Sequence, residues 1–101
     1  MRNRRSEPRF FADQAVTVSV LDSNKGESGP GTIVDFSASG IGIHAPFQLA
    51  AGCKVEIKWP RGVVLAEVRY CRPMRPGKFR VGLKIAEVVA LAGISGQSGA
   101  A

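Results

Sequence analysis

The stretch Ala15-Val16-Thr17-Val18-Ser19-Val20-Leu21 decides the fold class. Valine fills the even positions and hydroxyl residues fill two of the odd ones. Such a segment has one apolar face only if successive side chains point to opposite sides, as they do in a β-strand. The same period of two recurs along the chain, while helical periodicity is nearly absent. Asp22 to Gly31 reads as a long polar loop rich in turn residues. Thr32-Ile33-Val34-Asp35-Phe36 and Gly40-Ile41-Gly42-Ile43-His44 read as the next two strands, joined by a turn of small residues. Lys54-Val55-Glu56-Ile57-Lys58-Trp59 alternates charge outward and apolar inward, and Pro60-Arg61-Gly62 closes it. A long strand from Val63 to Arg72, a turn at Pro73-Met74-Arg75-Pro76-Gly77, and a strand over Lys78-Phe79-Arg80-Val81-Gly82-Leu83-Lys84-Ile85 complete the pattern. Six or seven short strands at this spacing predict an all-β antiparallel barrel or sandwich. Ala86 to Ile94 is expected to form a short helix, its Val88, Val89, Leu91 and Ala92 packing on a barrel end. Ser95 to Ala101 is expected to be a disordered tail.

The whole chain bounds the function. Its 101 residues make one domain. No apolar run approaches the ~20 residues of a membrane span. Arg2, Arg4 and Arg5 are followed by no apolar segment, so no secretory signal is expected and the compartment is expected to be the cytoplasm. Cys53 and Cys71 are too few and too far apart for a zinc site or a redox pair, and are expected as core thiols. A net charge of +6 and a pI near 10.0 favour anionic partners. Arg2, Arg4, Arg5 and Arg9 crowd the start of the chain against one acid, Glu7. A second group, Arg61, Arg69, Arg72, Arg75, Lys78 and Arg80, reads as a solvated strand face and turn.

Two short segments carry the chemistry. Arg5-Ser6-Glu7-Pro8-Arg9 holds two arginines four apart on a stretch that Pro8 keeps out of an ordinary helix. A guanidinium presents a planar fork of donors that matches phosphate bidentately and also fits the O6/N7 edge of guanine. Asp35-Phe36-Ser37-Ala38-Ser39-Gly40 places a carboxylate where the apolar alternation breaks, then a hydroxyl, then a glycine. Asp35 can initiate a turn by bonding its own backbone near Ser37. Alternatively, its carboxylate accepts hydrogen bonds from guanine N1 and N2, the edge that separates guanine from adenine. Gly40 permits close backbone approach or a positive φ. Alone, each segment reads as a basic tail or an Asx-type turn. In one all-β domain they supply both halves of a guanine-dinucleotide site.

Arg-x-x-x-Arg followed by Asp-x-Ser-x-x-Gly resembles the paired signature of the PilZ domain family, and the likeness extends over roughly residues 4 to 88. It takes in Val68-Arg69-Tyr70 and Arg80-Val81-Gly82-Leu83-Lys84-Ile85, similar to the family's closing strands. The resemblance implies a PilZ-type barrel at 12–88, a flexible arginine-rich arm at 1–11, and a short helix and disordered tail at 89–101. It implies a receptor for the bacterial second messenger cyclic di-GMP, with no metal, acting in signal transduction on an effector protein, as a monomer or weak dimer. Arg5 and Arg9 would grip phosphates and guanine, Asp35 and Ser37 would bind a guanine edge, and Gly40 would shape the turn. Arg4, just before the first arginine, is similar to members that take up a self-stacked pair of ligands. Binding would order the arm and change the barrel surface for the partner.

Other classes rank lower. His44 is the only histidine, so there is no His-based triad or cluster. Ser37 and Ser39 have no visible activating base, and no phosphate-cradling Gly-x-x-x-x-Gly-Lys loop occurs; an enzyme is not expected. A PilZ-type adaptor that no longer binds nucleotide is the first alternative. A basic single-stranded nucleic-acid barrel using Trp59 and Tyr70 is the second and weaker one. Phe10-Phe11 is expected to anchor the arm on the barrel.

Overall fold

The computed structural model describes residues 8–22 and 26–91. Six strands run β1 (Phe10–Val20), β2 (Ser28–Phe36), β3 (Gly40–Ala45), β4 (Lys54–Trp59), β5 (Gly62–Arg75) and β6 (Lys78–Leu91). Every pairing is antiparallel. They close as a barrel in the order β1-β2-β3-β6-β5-β4. Closure follows from the sequence pattern. Each strand offers one apolar face, and curling the sheet on itself buries all of those faces at once while leaving few free edges.

The even valines Val16, Val18 and Val20 point inward, meeting Ile33, Ile43, Val55, Ile57, Val68, Val81 and Leu83 in one core. Ile43, Val18, Val55, Ile57 and Val81 have no exposed surface. Because such a core is close-packed, even a single methylene matters. Ile57→Val is expected to lower the unfolding free energy by about 1 kcal/mol, read from the urea midpoint at unchanged slope.

Several expectations need correction. Ala86–Leu91 is not helix but the continuation of β6, paired back along the first half of β5 from Leu65↔Glu87 to Gly62↔Leu91. The β-branched pair Val88-Val89 favours a strand, and the long β5 offers an open ladder that a helix would leave unpaired. The rest of the expected helix and tail, 92–101, lies outside the described residues. Phe10 and Phe11 belong to β1 itself, opposite Phe36 and Asp35, so the barrel begins inside the stretch expected as a flexible arm. Phe10 lies 5.5 Å from the Phe36 ring, whereas Phe11 is 88% exposed and anchors nothing among the described residues. The turn between β5 and β6 shortens to Pro76-Gly77, because Pro76 fixes its own φ and Gly77 takes φ 77°. The loop after β1 also shortens, since β2 starts at Ser28 and pairs it with Ser19. Cys53 and Cys71 are free and partly buried against the core. No helix among the described residues is long and apolar enough to cross a membrane.

Candidate functional site

Asp35 reaches the outer face of the barrel through an irregularity in its strand. Ile33 of β2 points into the core and pairs with Ile43, and in a regular strand Asp35 would share that inward face. A register shift between Ile33 and Asp35 inserts one extra residue, so Asp35 pairs with Gly42 and turns outward. The same device acts on β5. Val68 is buried, a shift follows it, and Tyr70 pairs with Gly82 on the outer side. Gly42 and Gly82 are themselves cross-strand partners. One row therefore crosses four strands: Asp35, Gly42, Gly82, Tyr70.

The two central glycines make the floor of this row. A Cβ on Gly42 would lie 2.6 Å from Asp35 Oδ1 and 2.8 Å from Arg80 Nη2. A Cβ on Gly82 would enter the ring of Tyr70. Side chains from neighbouring strands thus lie flat against bare backbone, which is the use glycine has inside a strand. Beside this floor is a shallow depression of about 300 Å³ lined by Arg9, Gly40, Gly42, Arg69, Tyr70 and Arg80, among others. A larger depression, about 730 Å³, lies on the β1–β4 side under Thr17, Glu56, Lys58 and Arg61. It carries mixed charge and gathers none of the motif residues, so the chemistry points to the smaller one.

Arg9 joins the two motifs. Its Nη2 donates to Asp35 Oδ1 at 2.6 Å and its Nη1 donates to Ser37 Oγ at 3.2 Å. The other carboxylate oxygen accepts from Arg80 Nη2 at 2.8 Å. Asp35 is thus held between two guanidinium groups, its side chain 11% exposed, with Arg9 at 48% and Arg80 at 30%. Ser37 is buried, and its amide closes the β2–β3 turn by donating to the carbonyl of Gly40 at 2.8 Å. Gly40 takes no positive φ; its role is close approach, since a Cβ there would lie 3.1 Å from the carbonyl oxygen of Leu83.

Burial pushes the Asp35 carboxyl up, but the hydrogen bonds and charges of Arg9 and Arg80 outweigh it and hold the group below the ordinary carboxylate range. A depressed carboxyl stabilises the fold at neutral pH, and that contribution is lost as pH falls through the folded value. Urea midpoints measured from pH 7 down to pH 3 should fall less steeply in Asp35→Asn than in the parent.

Of the expected site residues, Arg9, Asp35, Ser37 and Gly40 come together, while Arg4 and Arg5 lie outside the described residues. Sequence reasoning placed Arg80 on a solvated face, used Tyr70 only as a base-stacking aromatic in the weaker nucleic-acid reading, and made no use of Gly42 or Gly82 as site residues. Ile41-Gly42-Ile43 and Val81-Gly82-Leu83 did carry a signal, because glycine inside an apolar alternation marks close approach. Among the described residues no group of three or more His, Cys, Asp or Glu is placed to hold a metal.

The model of the PilZ domain matches residues 3–92. The chain belongs to the PilZ domain family. PilZ proteins are receptors or adaptors rather than enzymes. A solved structure with the same fold is the Bacillus subtilis inhibitor of motility (MotI/DgrA), with TM-score 0.60 and 20% identity over 88% of this chain and 46% of that one. The PilZ domain described here therefore spans under half of that protein's length. No curated protein matches the chain.

Proposed function

We propose that this PilZ domain binds cyclic di-GMP on the outer face of β2, β3, β6 and β5 and relays its presence to a partner protein. The observation that carries the reading is the three-way contact of Arg9 with Asp35 and Ser37, which joins the arginine motif to the acid-hydroxyl turn. The cluster also suggests the order of events. Both oxygens of the Asp35 carboxylate are taken, so a guanine edge must displace a guanidinium to be accepted there. Arg9 is the more exposed of the two and stands just before β1, and the departing group is Arg9. It exchanges the carboxylate for a phosphate of the ligand, while Arg80 stays and keeps Asp35 oriented. Arg4 and Arg5 add charge for the remaining phosphates, and Arg4 favours a stacked ligand pair.

A calorimetric titration tests this. Cyclic di-GMP should bind, with a stoichiometry of two per chain for the stacked pair, and Arg9→Ala should cost at least ~2 kcal/mol because a charge-assisted contact is lost. No heat, or unchanged affinity in Arg9→Ala, rejects the reading. A second reading is a PilZ adaptor acting through protein contacts alone. It is favoured by the self-sufficiency of the Arg9–Asp35–Arg80 cluster, in which each carboxylate oxygen already has a partner. The same titration separates the two.

A further inference from the structure

The segment from Val68 to Ala86 contains Arg69, Arg72, Arg75, Lys78, Arg80 and Lys84 and not one acid. The fold concentrates most of this charge on the ribbon formed by the second half of β5 and the start of β6. There Arg72 stands directly opposite Arg80, and Arg75 opposite Lys78. Like charges facing each other across an antiparallel pair are destabilising. Further along the same two strands Glu67 faces Lys84, the opposite-charge arrangement that a solvated face ordinarily adopts. The one acid described near the ribbon, Asp35, is already shared by Arg9 and Arg80.

Three further observations bear on what this surface meets. Arg72 and Arg75 are exposed, and with them Met74 at 51% and Tyr70 at 37%. The β4 ladder ends at Glu67, so no strand among the described residues pairs with Arg69–Arg75 on that side. His44, partnered with Arg80 on β3, has its imidazole pKa pushed down, first by burial and then by the charges of Lys78, Arg80 and Arg75. The facing groups are cationic, apart from the weaker opposing pull of Asp35.

We propose that the outer face of this β5–β6 ribbon is a docking surface for an acidic segment of a partner protein. The proposal does not depend on nucleotide binding. Complementary charge is the first reason, because unpaired, like-signed cations gain most from an incoming carboxylate. Composition is the second. Three arginines to one lysine, with tyrosine and methionine between them, is the mixture enriched at protein–protein interfaces, where lysine is depleted. Single-stranded nucleic acid fits less well. It needs a series of free aromatic faces, and the ribbon's exposed aromatic, Tyr70, rests against Gly82 with the Arg72 guanidinium over its ring at 4.7 Å.

Fluorescence anisotropy of the full chain with a labelled peptide rich in Asp and Glu, with interspersed Leu, tests the assignment. Two double variants carry the same change in net charge: Arg72→Glu/Arg75→Glu on the ribbon, and Lys54→Glu/Lys58→Glu on β4. The ribbon variant should weaken peptide binding at least tenfold (about 1.4 kcal/mol), and the β4 variant much less. It should also unfold at a higher temperature than the parent, since it converts both like-charge pairs to opposite ones; loss of binding then cannot be loss of fold. Absence of peptide binding, or equal loss in the two variants, overturns the proposal. So does tighter binding of a single-stranded oligonucleotide of matched charge that depends on Arg72 and Arg75.

Discussion

Asp35→Ala is expected to lower the affinity for cyclic di-GMP by at least about 30-fold, the equivalent of ~2 kcal/mol. The carboxylate is the group in the cluster able to accept from guanine N1 and N2, and hydrogen bonds to a charged partner are the stronger kind. Its removal also frees Arg9 and Arg80, which now hold its two oxygens at 2.6 and 2.8 Å. Those cations remain and still attract phosphate. The variant should therefore lose recognition of the base while keeping a residual, salt-sensitive attraction for any cyclic dinucleotide. Titrating parent and variant with cyclic di-GMP and cyclic di-AMP separates the two terms. The parent should discriminate strongly, and the variant should bind both weakly and alike. Asp35→Asn, which keeps the shape but one acceptor and no charge, should fall between them. An Asp35→Ala protein that stays folded and retains the parent's preference for guanine would remove Asp35 from the site.

Most of the barrel was legible because period-two alternation is a local property. Val16, Val18 and Val20 announce their shared face without reference to any other strand, and the turn residues around Pro60 and Gly77 announce where strands end. What was not legible depends on the partner strand. Ala86–Leu91 has the composition of a short helix when taken alone, and only the length of β5 beside it makes the strand the better use of its backbone. Likewise, alternation counted from Ile33 would send Asp35 into the core. The register shift that turns it outward is a relation between β2 and β3, fixed when Asp35 meets Gly42.

The candidate site divides along the same line. Arg9, Asp35, Ser37 and Gly40 are legible because they sit in two compact motifs. Arg80 is not, because nothing near it in sequence separates it from Arg75 or Arg72, both left on the exposed ribbon. Its role comes from standing on the outer face of β6, one diagonal step from Gly42, whose bare backbone leaves its guanidinium room to cross β3 and reach Asp35. The fold therefore selects one cation out of a run of similar ones. The selection is made by the Cβ missing at Gly42.

Gly42→Ala is consequently expected to damage the site as severely as removing Asp35. Its new methyl would stand 2.6 Å from Asp35 Oδ1 and 2.8 Å from Arg80 Nη2, both closer than real contacts allow, and 3.1 Å from Arg80 Cζ, tighter than most. Asp35 is short, with its direction set by the register shift, so it cannot retreat without leaving its partners. Arg80 is long and more exposed and can swing away, which leaves a mostly buried carboxylate with one partner instead of two. Affinity for cyclic di-GMP should drop at least about 30-fold. Stability should fall by only about 1 kcal/mol, because the cost of the weakened ion pair is partly offset by the gain from replacing glycine inside a strand. Gly82→Ala provides the contrast. There the methyl meets the ring of Tyr70, which is 37% exposed and can move outward at the cost of its hydrogen bond with Arg80, while neither guanidinium contact to Asp35 is itself displaced. Its loss of affinity should be clearly smaller. Equal losses in the two variants would mean that the glycine floor acts as a whole; a Gly42→Ala protein that binds as the parent does would show that the Asp35–Arg80 contact is dispensable for recognition.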